Sequence, residues 1–166
     1  MSAAPAPRRQ VSARDVFQRI SYLQYPALFA AMAYAVVAGI AAASAPHTGW
    51  TQVFEAWNHV LLYAGIGIGL SSLQDPTRTQ NAISRRVWRN PRKGRWMLVL
   101  IAVYALGAMA LGLVGAYAAS NTLVSQLALG LLAFGLGMLG LLKTAVEMRE
   151  HHRLDRAPTA AALEVA

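Results

Sequence analysis

The sequence predicts an all-α integral membrane protein: a four-transmembrane-helix bundle with a short basic amphipathic helix on the cytoplasmic side, between the second and third spans. Three observations lead there. Hydrophobic residues make up 56% of the 166 residues and charged residues only 13%, outside the usual range for a soluble domain. The apolar residues gather into uncharged stretches of about 20, the length a helix needs to cross a ~30 Å hydrocarbon core. The connecting segments alternate between strongly basic and free of Lys and Arg.

Residues 1–21 form an amino-terminal segment, Ala/Pro-rich and expected to be disordered from Ser2 to Pro7, then basic through Arg8, Arg9, Arg14 and Arg19. The membrane domain is expected over 22–142, with spans at about Tyr22 to Ala43, Val53 to Leu73, Trp96 to Ala119 and Thr122 to Leu142. None of the four contains Lys, Arg or Asp, and Glu55 sits at the extreme start of the second, within reach of headgroups. Ala43-Ser44-Ala45 has the form of a signal-peptide cleavage site. The apolar run before it exceeds the roughly 7–15 residues of a signal core and Pro46 follows it, so the first span is expected to stay.

All 15 basic residues lie in the amino-terminal segment, the middle loop 74–95 or the carboxyl-terminal tail 143–166. Ser44 to Gln52 and the Ser120-Asn121 turn have none. The positive-inside rule therefore puts both termini and the middle loop in the cytoplasm. Trp50 and Trp57 fall at the outer boundary and Trp88 and Trp96 at the inner one, where amphipathic rings favour the headgroup layer. An Arg-, Ala- and Gly-rich composition reads as bacterial, which makes the expected location the plasma (inner) membrane.

In the middle loop, Asp75 suits an N-cap, Pro76 a first helical position and Asn90-Pro91 a helix stop. Ile83, Val87 and Trp88 would share one side, with Arg85, Arg86 and Arg89 around the rest, a pattern for a helix lying in the headgroup layer. Arg85, Arg86, Arg89, Arg92, Lys93 and Arg95 are the candidate residues for anionic lipid or an acidic partner, each cation contributing on the order of 1 kcal/mol near an anionic surface. The plainer reading is that they orient the chain during insertion. The net charge of +8 and pI near 10.6 come with no nucleic-acid-binding pattern, so no nucleic-acid partner is expected.

Glu55 and His59 share a helical face at the outer end of the second span, with His47 in the preceding loop. A carboxylate orienting a histidine is an arrangement found beside metals and in proton transfer. One such pair supplies too few ligands, so Glu55, His59 and His47 are weak metal candidates and no cofactor is expected. A bis-histidine haem would need a second membrane-level histidine, and His151 and His152 lie in the tail. There is no cysteine, which removes thiolate chemistry and disulfides.

Small residues mark the helix-packing candidates: Gly65 with Gly69, Ala108 with Gly112, and Ala133 with Gly137, with Gly130, Gly135 and Gly140 nearby. With no nucleophile and base, metal spacing or phosphate loop, the chain is expected not to be an enzyme. The leading expectation is a non-catalytic accessory or structural subunit that packs against another membrane protein or further copies of itself. The alternative is a small homo-oligomeric channel or transporter, and a redox or metal-binding subunit comes third. In size and span count the chain resembles the four-span small multidrug transporters, but the membrane glutamate they carry in their first span has no counterpart between Tyr22 and Ala43.

Because the chain lacks cysteine, single-cysteine labelling tests the topology directly. Thr51→Cys should react with a membrane-impermeant maleimide in intact cells, and Thr79→Cys only after permeabilisation. The reverse pattern would invert the orientation.

Overall fold

The computed structural model describes residues 13–74, 90–117 and 122–154, and every regular element among them is a helix. The helices are α1 (Ala13–Ser21), α2 (Gln24–Thr48), α3 (Thr51–Ser71), α4 (Pro91–Tyr117) and α5 (Thr122–Leu154). Four segments of the described chain are helical, long enough and apolar enough to cross a membrane: α3, most of α4, most of α5, and the stretch Val16–Pro46 that contains most of α2. The stretch Ser2 to Pro7, the Ser120-Asn121 turn and the expected amphipathic helix with Trp88, Arg85, Arg86 and Arg89 lie outside the described residues.

The helix ends depart from the sequence expectations in four places, each with a local cause. Residues 13–21, expected as a basic lead-in, form α1, with Val16, Phe17 and Ile20 exposed on it. α1 and α2 are separated at Tyr22 and Leu23, where the Tyr25 N–H bonds back to the Tyr22 carbonyl at 3.2 Å. Pro26 causes the break, because it has no N–H for that carbonyl and its ring crowds it. The outer loop expected over Ser44 to Gln52 shrinks to Gly49 and Trp50, since α2 runs on through Pro46 to Thr48. The sharp reversal falls on Gly49, whose φ of 90° and ψ of 165° only glycine adopts readily.

At the start of α4, Asn90-Pro91 opens a helix where a stop was expected. The Asn90 side-chain oxygen accepts from the N–H groups of Arg92 (3.1 Å) and Lys93 (3.4 Å), and Pro91 takes the first helical position. The span thus begins five residues before Trp96. α5 does not stop at Leu142: its 33 residues reach Leu154, a length of roughly 50 Å against a ~30 Å core. No Gly or Pro interrupts Leu141 to Leu154, and Lys143 pairs with Glu147 one turn on at 3.3 Å. The tail therefore starts as a helical projection.

Packing is inverted relative to a soluble domain. The buried apolar residues are mostly alanine, including Ala31, Ala38 and Ala45 on α2 and Ala105 and Ala108 on α4, while Phe29 is 72% exposed, Trp96 76% and Tyr117 87%. In water an apolar surface of this extent would drive aggregation. In lipid such a surface would be solvated, and small residues would belong at the seams because they let helix backbones approach. Buried positions recur near every 3.5 residues, at 31, 38 and 45 on α2 and at 101, 105, 108, 112 and 115 on α4. That is the spacing of helices crossing at a shallow angle.

Among the described residues the spans pack in series, in the order α2, α3, α5, α4, with no more than stray contact between other pairs of spans. The expected bundle is thus open: α3 and α5 each have two small-residue faces, whereas α2 and α4 have one. Partner numbers give the register. Asn58 meets Gly130 and Ser72 meets Thr144, both 72 residues apart, so α3 and α5 run parallel. Tyr34 meets His59 and Tyr63 while Leu28 lies against Gly67, and Gly112 packs on Leu132 while Gly135 packs on Met109, so the two outer pairs run antiparallel.

An added Cβ at Gly137 would run into the Gly65 carbonyl oxygen, whereas one at Gly39 meets nothing within 4 Å. Gly137→Leu should therefore destabilise the fold by about 1–3 kcal/mol or more, and Gly39→Leu should stay within about 0.5 kcal/mol of the parent. Thermal unfolding in a mild detergent checks the contrast, and equal midpoints for the two variants would contradict the packing described.

Candidate functional site

The densest meeting of side chains named from the sequence is the α3–α5 seam. A Cβ at Gly65 would strike the Ala133 carbonyl, and one at Gly130 the Asn58 carbonyl. Gly69 lies against Gly137, its hypothetical Cβ 3.6 Å from the Gly137 Cα. Backbones this close exchange dispersion contacts and weak Cα–H···O bonds, which hold helices together where no hydrophobic effect acts. Gly65, Gly69, Ala133 and Gly137 thus meet in one seam. Ala108 and Gly112 belong to the other, where a Gly112 Cβ would come 2.8 Å from the Leu132 Cγ and 3.1 Å from the Ala128 carbonyl.

Polar groups stitch the α3–α5 seam at both ends. Toward the outer end the Gly130 N–H donates to the Asn58 side-chain oxygen at 2.7 Å. One turn earlier the Gln126 side-chain oxygen is buried with no hydrogen-bond partner. At the other end the Thr144 hydroxyl lies 3.2 Å from two carbonyls, Ser72 of α3 and Gly140 of its own helix. The Ser71 and Ser72 hydroxyls donate to the Ile68 and Gly69 carbonyls at 2.7 Å. Carbonyls at a helix end lack intrahelical partners, and within lipid each must find one, so these hydroxyls close the end of α3. Gly140 is bare here because the Ser72 hydroxyl lies 2.7 Å from where its Cβ would be.

Glu55 and His59, the weak metal candidates, are linked through the main chain and not through the carboxylate. His59 Nδ1 lies 2.9 Å from the main-chain carbonyl of Glu55. A carbonyl can only accept, so Nδ1 carries the proton. Folding back onto the residue four earlier is a local bond of the kind polar side chains make on helices, and it leaves the Glu55 carboxylate exposed. The imidazole stacks on Tyr34 of α2, with ring centres 4.7 Å apart and planes at 13°, and Tyr63 lies 5.6 Å from the same ring. His59 and Tyr63 are one turn apart, and together they clamp α2 to α3. Nothing in the spacing of Tyr34 signals this role in the sequence.

His47 lies in the last turn of α2 and its side chain is outside the described ones. Among the described residues no three His, Cys, Asp or Glu side chains gather as a metal would need. His151 stands about 20 residues beyond the level of His59 along α5, given the 72-residue register, which is roughly 30 Å of helix. The two cannot ligate one haem.

Of the basic candidates, Arg85, Arg86 and Arg89 lie outside the described residues, while Arg92, Lys93 and Arg95 project exposed from the first turns of α4. No carboxylate among the described residues pairs with them, the one described ion pair being Lys143 with Glu147. No family model matches this chain, and neither a curated protein nor a solved structure matches it.

Asn58→Leu removes the one side-chain bond to the Gly130 N–H and should cost about 0.6–1.7 kcal/mol, the range for hydrogen bonds between membrane helices. His59→Phe keeps a ring on Tyr34 and should leave the melting midpoint and any metal content unchanged. Loss of a stoichiometric metal on His59→Phe would show that the histidine does more than pack.

Proposed function

We propose that this chain is a non-catalytic multi-pass subunit of the plasma (inner) membrane, an accessory or structural component that packs against another membrane protein. In this reading both termini and the basic middle loop face the cytoplasm, as the distribution of Lys and Arg suggests. The observation that carries the proposal is the open order of the spans. Among the described residues α2 and α4 each have one neighbouring span and turn bulky apolar side chains outward, Phe29, Met32, Val36 and Ile40 on α2 and Val103, Leu106 and Leu111 on α4.

The internal seams support the same reading. Small residues and side-chain hydroxyls are consumed in joining α3 to α5 and α4 to α5, and His59 is bonded to its own backbone. The groups most able to do chemistry therefore serve the fold. Backbone contact closes the α3–α5 seam, so a channel or transporter would need several copies and a lumen built from faces that are apolar here.

Purification of the tagged full chain in a mild detergent, with mass spectrometry of co-purifying proteins, tests the proposal. A stoichiometric membrane partner is the expected result. A lone homo-oligomer that carries ions or solutes across liposomes would overturn it in favour of a channel or transporter.

A further inference from the structure

α1 is apolar on one side and lies where the other helices turn polar. A helical period of about 100° per residue puts Ala13, Val16, Phe17 and Ile20 within an arc of about 100°. Asp15 and Gln18 fall opposite, and Arg14 and Arg19 come about 60° beyond the two edges of the arc. Val16 is 44% exposed, Phe17 50% and Ile20 37%. The end nearest α2 is held in, with Ser21 fully buried and its hydroxyl donating to the Gln18 carbonyl at 2.7 Å. The apolar side stays half open.

Depth comes from the neighbouring helices. A Cβ at Gly67 would touch the Leu28 side chain and lie 3.5 Å from the Gln24 carbonyl. Because α2 and α3 run antiparallel, Ser21 stands beside the last turn of α3, which ends at Ser71. The 72-residue register carries that level across to Lys143, the first charged residue of α5. α2 alone has 25 residues, a rise of roughly 38 Å, enough for a ~30 Å core. α1 therefore starts where the uncharged part of the molecule ends, and Val16, Phe17 and Ile20 lie at or beyond that level.

Water would leave those three side chains uncovered, and the acyl region would strip Arg19 of water. The boundary between headgroups and acyl chains meets both needs. An amphipathic helix lying there buries its apolar face by roughly 5–10 Å, and cations at the edges of that face reach the phosphates. The edge arginines favour lipid over a protein partner: a protein covering the apolar arc would have to desolvate both, whereas an anionic leaflet attracts them. Tyr22 and Tyr25, exposed and stacked with ring centres 6.3 Å apart, continue the same boundary. At the break between α1 and α2 the N–H groups of Tyr22, Leu23 and Tyr25 bond three residues back instead of four, which frees α1 from the axis of α2.

We propose that α1 is a membrane-surface anchor lying along the headgroup boundary of an anionic leaflet, with Val16, Phe17 and Ile20 toward the acyl chains and Arg14 and Arg19 at the phosphates. The proposal rests on the reading that the four longer helices span a membrane, and not on the accessory role.

The absence of cysteine allows nitroxide labels to be placed singly, from Ala13→Cys through Ile20→Cys, in the full chain reconstituted in vesicles of phosphatidylcholine and phosphatidylglycerol. Collision with oxygen should peak at positions 16, 17 and 20, and collision with a water-soluble nickel chelate at 15 and 18. Positions 16, 17 and 20 should share one depth. Arg14→Gln and Arg19→Gln should each lower the ratio of surface-bound to free label at position 17 on the order of fivefold, as should omission of phosphatidylglycerol when both arginines are present.

Labels at 16, 17 and 20 shielded from both collision partners would overturn the anchor in favour of a protein segment on this face. Nickel access at every position would overturn it in favour of a helix in water, and a depth that changes steadily from 13 to 20 in favour of a prolonged span. Indifference to both arginines and to phosphatidylglycerol would remove the anionic leaflet as its partner. A chain that alkaline carbonate strips from the vesicles would instead sink the spanning reading, and the anchor with it.

Discussion

Between Gly65 and Gly137 there is no room for a methyl group, because the backbone of the facing helix already occupies the space. The other described features follow from that approach. In lipid the tails surrounding a helix are as apolar as leucine, so helices gain little from hiding apolar side chains and much from bringing backbones close. α5 does this on two sides, with Gly130, Ala133 and Gly137 toward α3 and Ala128 and Gly135 toward α4. It is the centre of the molecule. Among the described helices, α4 packs on the others through it, and α2 through α3.

Close approach also determines what the polar residues do. Once α3 and α5 are in parallel register, Asn58 faces a backbone N–H and Thr144 faces the carbonyls at the end of α3. Such bonds are worth about 0.6 kcal/mol on average between membrane helices, less than a buried residue of the seam. They resist sliding more than they add stability, since a shift of one residue along the seam would leave every partner out of reach. The His59 and Tyr63 clamp on Tyr34 does the same for α2. In the fold these groups all hold one helix against another.

Using the small residues internally leaves the outer surface to large ones. The end helices present Phe, Met, Val, Ile and Leu to their surroundings, a surface suited equally to acyl chains and to the bulky face of another membrane protein. Polarity returns only at the helix ends, where α1, the first turns of α4 and the projecting last turns of α5 carry the described cations.

Much of this was legible in the sequence. Apolar stretches of the right length, free of Lys, Arg and Asp, identify four spans because charge cannot enter a bilayer cheaply, and Gly65, Gly69, Gly112, Ala133 and Gly137 stand out as small residues at helical spacing. The helix ends were less legible: Asn90-Pro91 is punctuation that serves a helix after it as well as one before it, and continuation past Leu142 depends on the absence of a stop signal. The order of the spans was not legible at all. Small residues occur on every span, and which face meets which is decided only when four helices compete for the same partners. The same holds for His59, whose neighbour four residues back offers both a carboxylate and a carbonyl. Sequence determined which stretches are long and apolar enough to cross a membrane, because that follows from composition summed along the chain. Tertiary structure decided the neighbours, since contact between helices depends on matching the spacing of two surfaces, which no single segment contains.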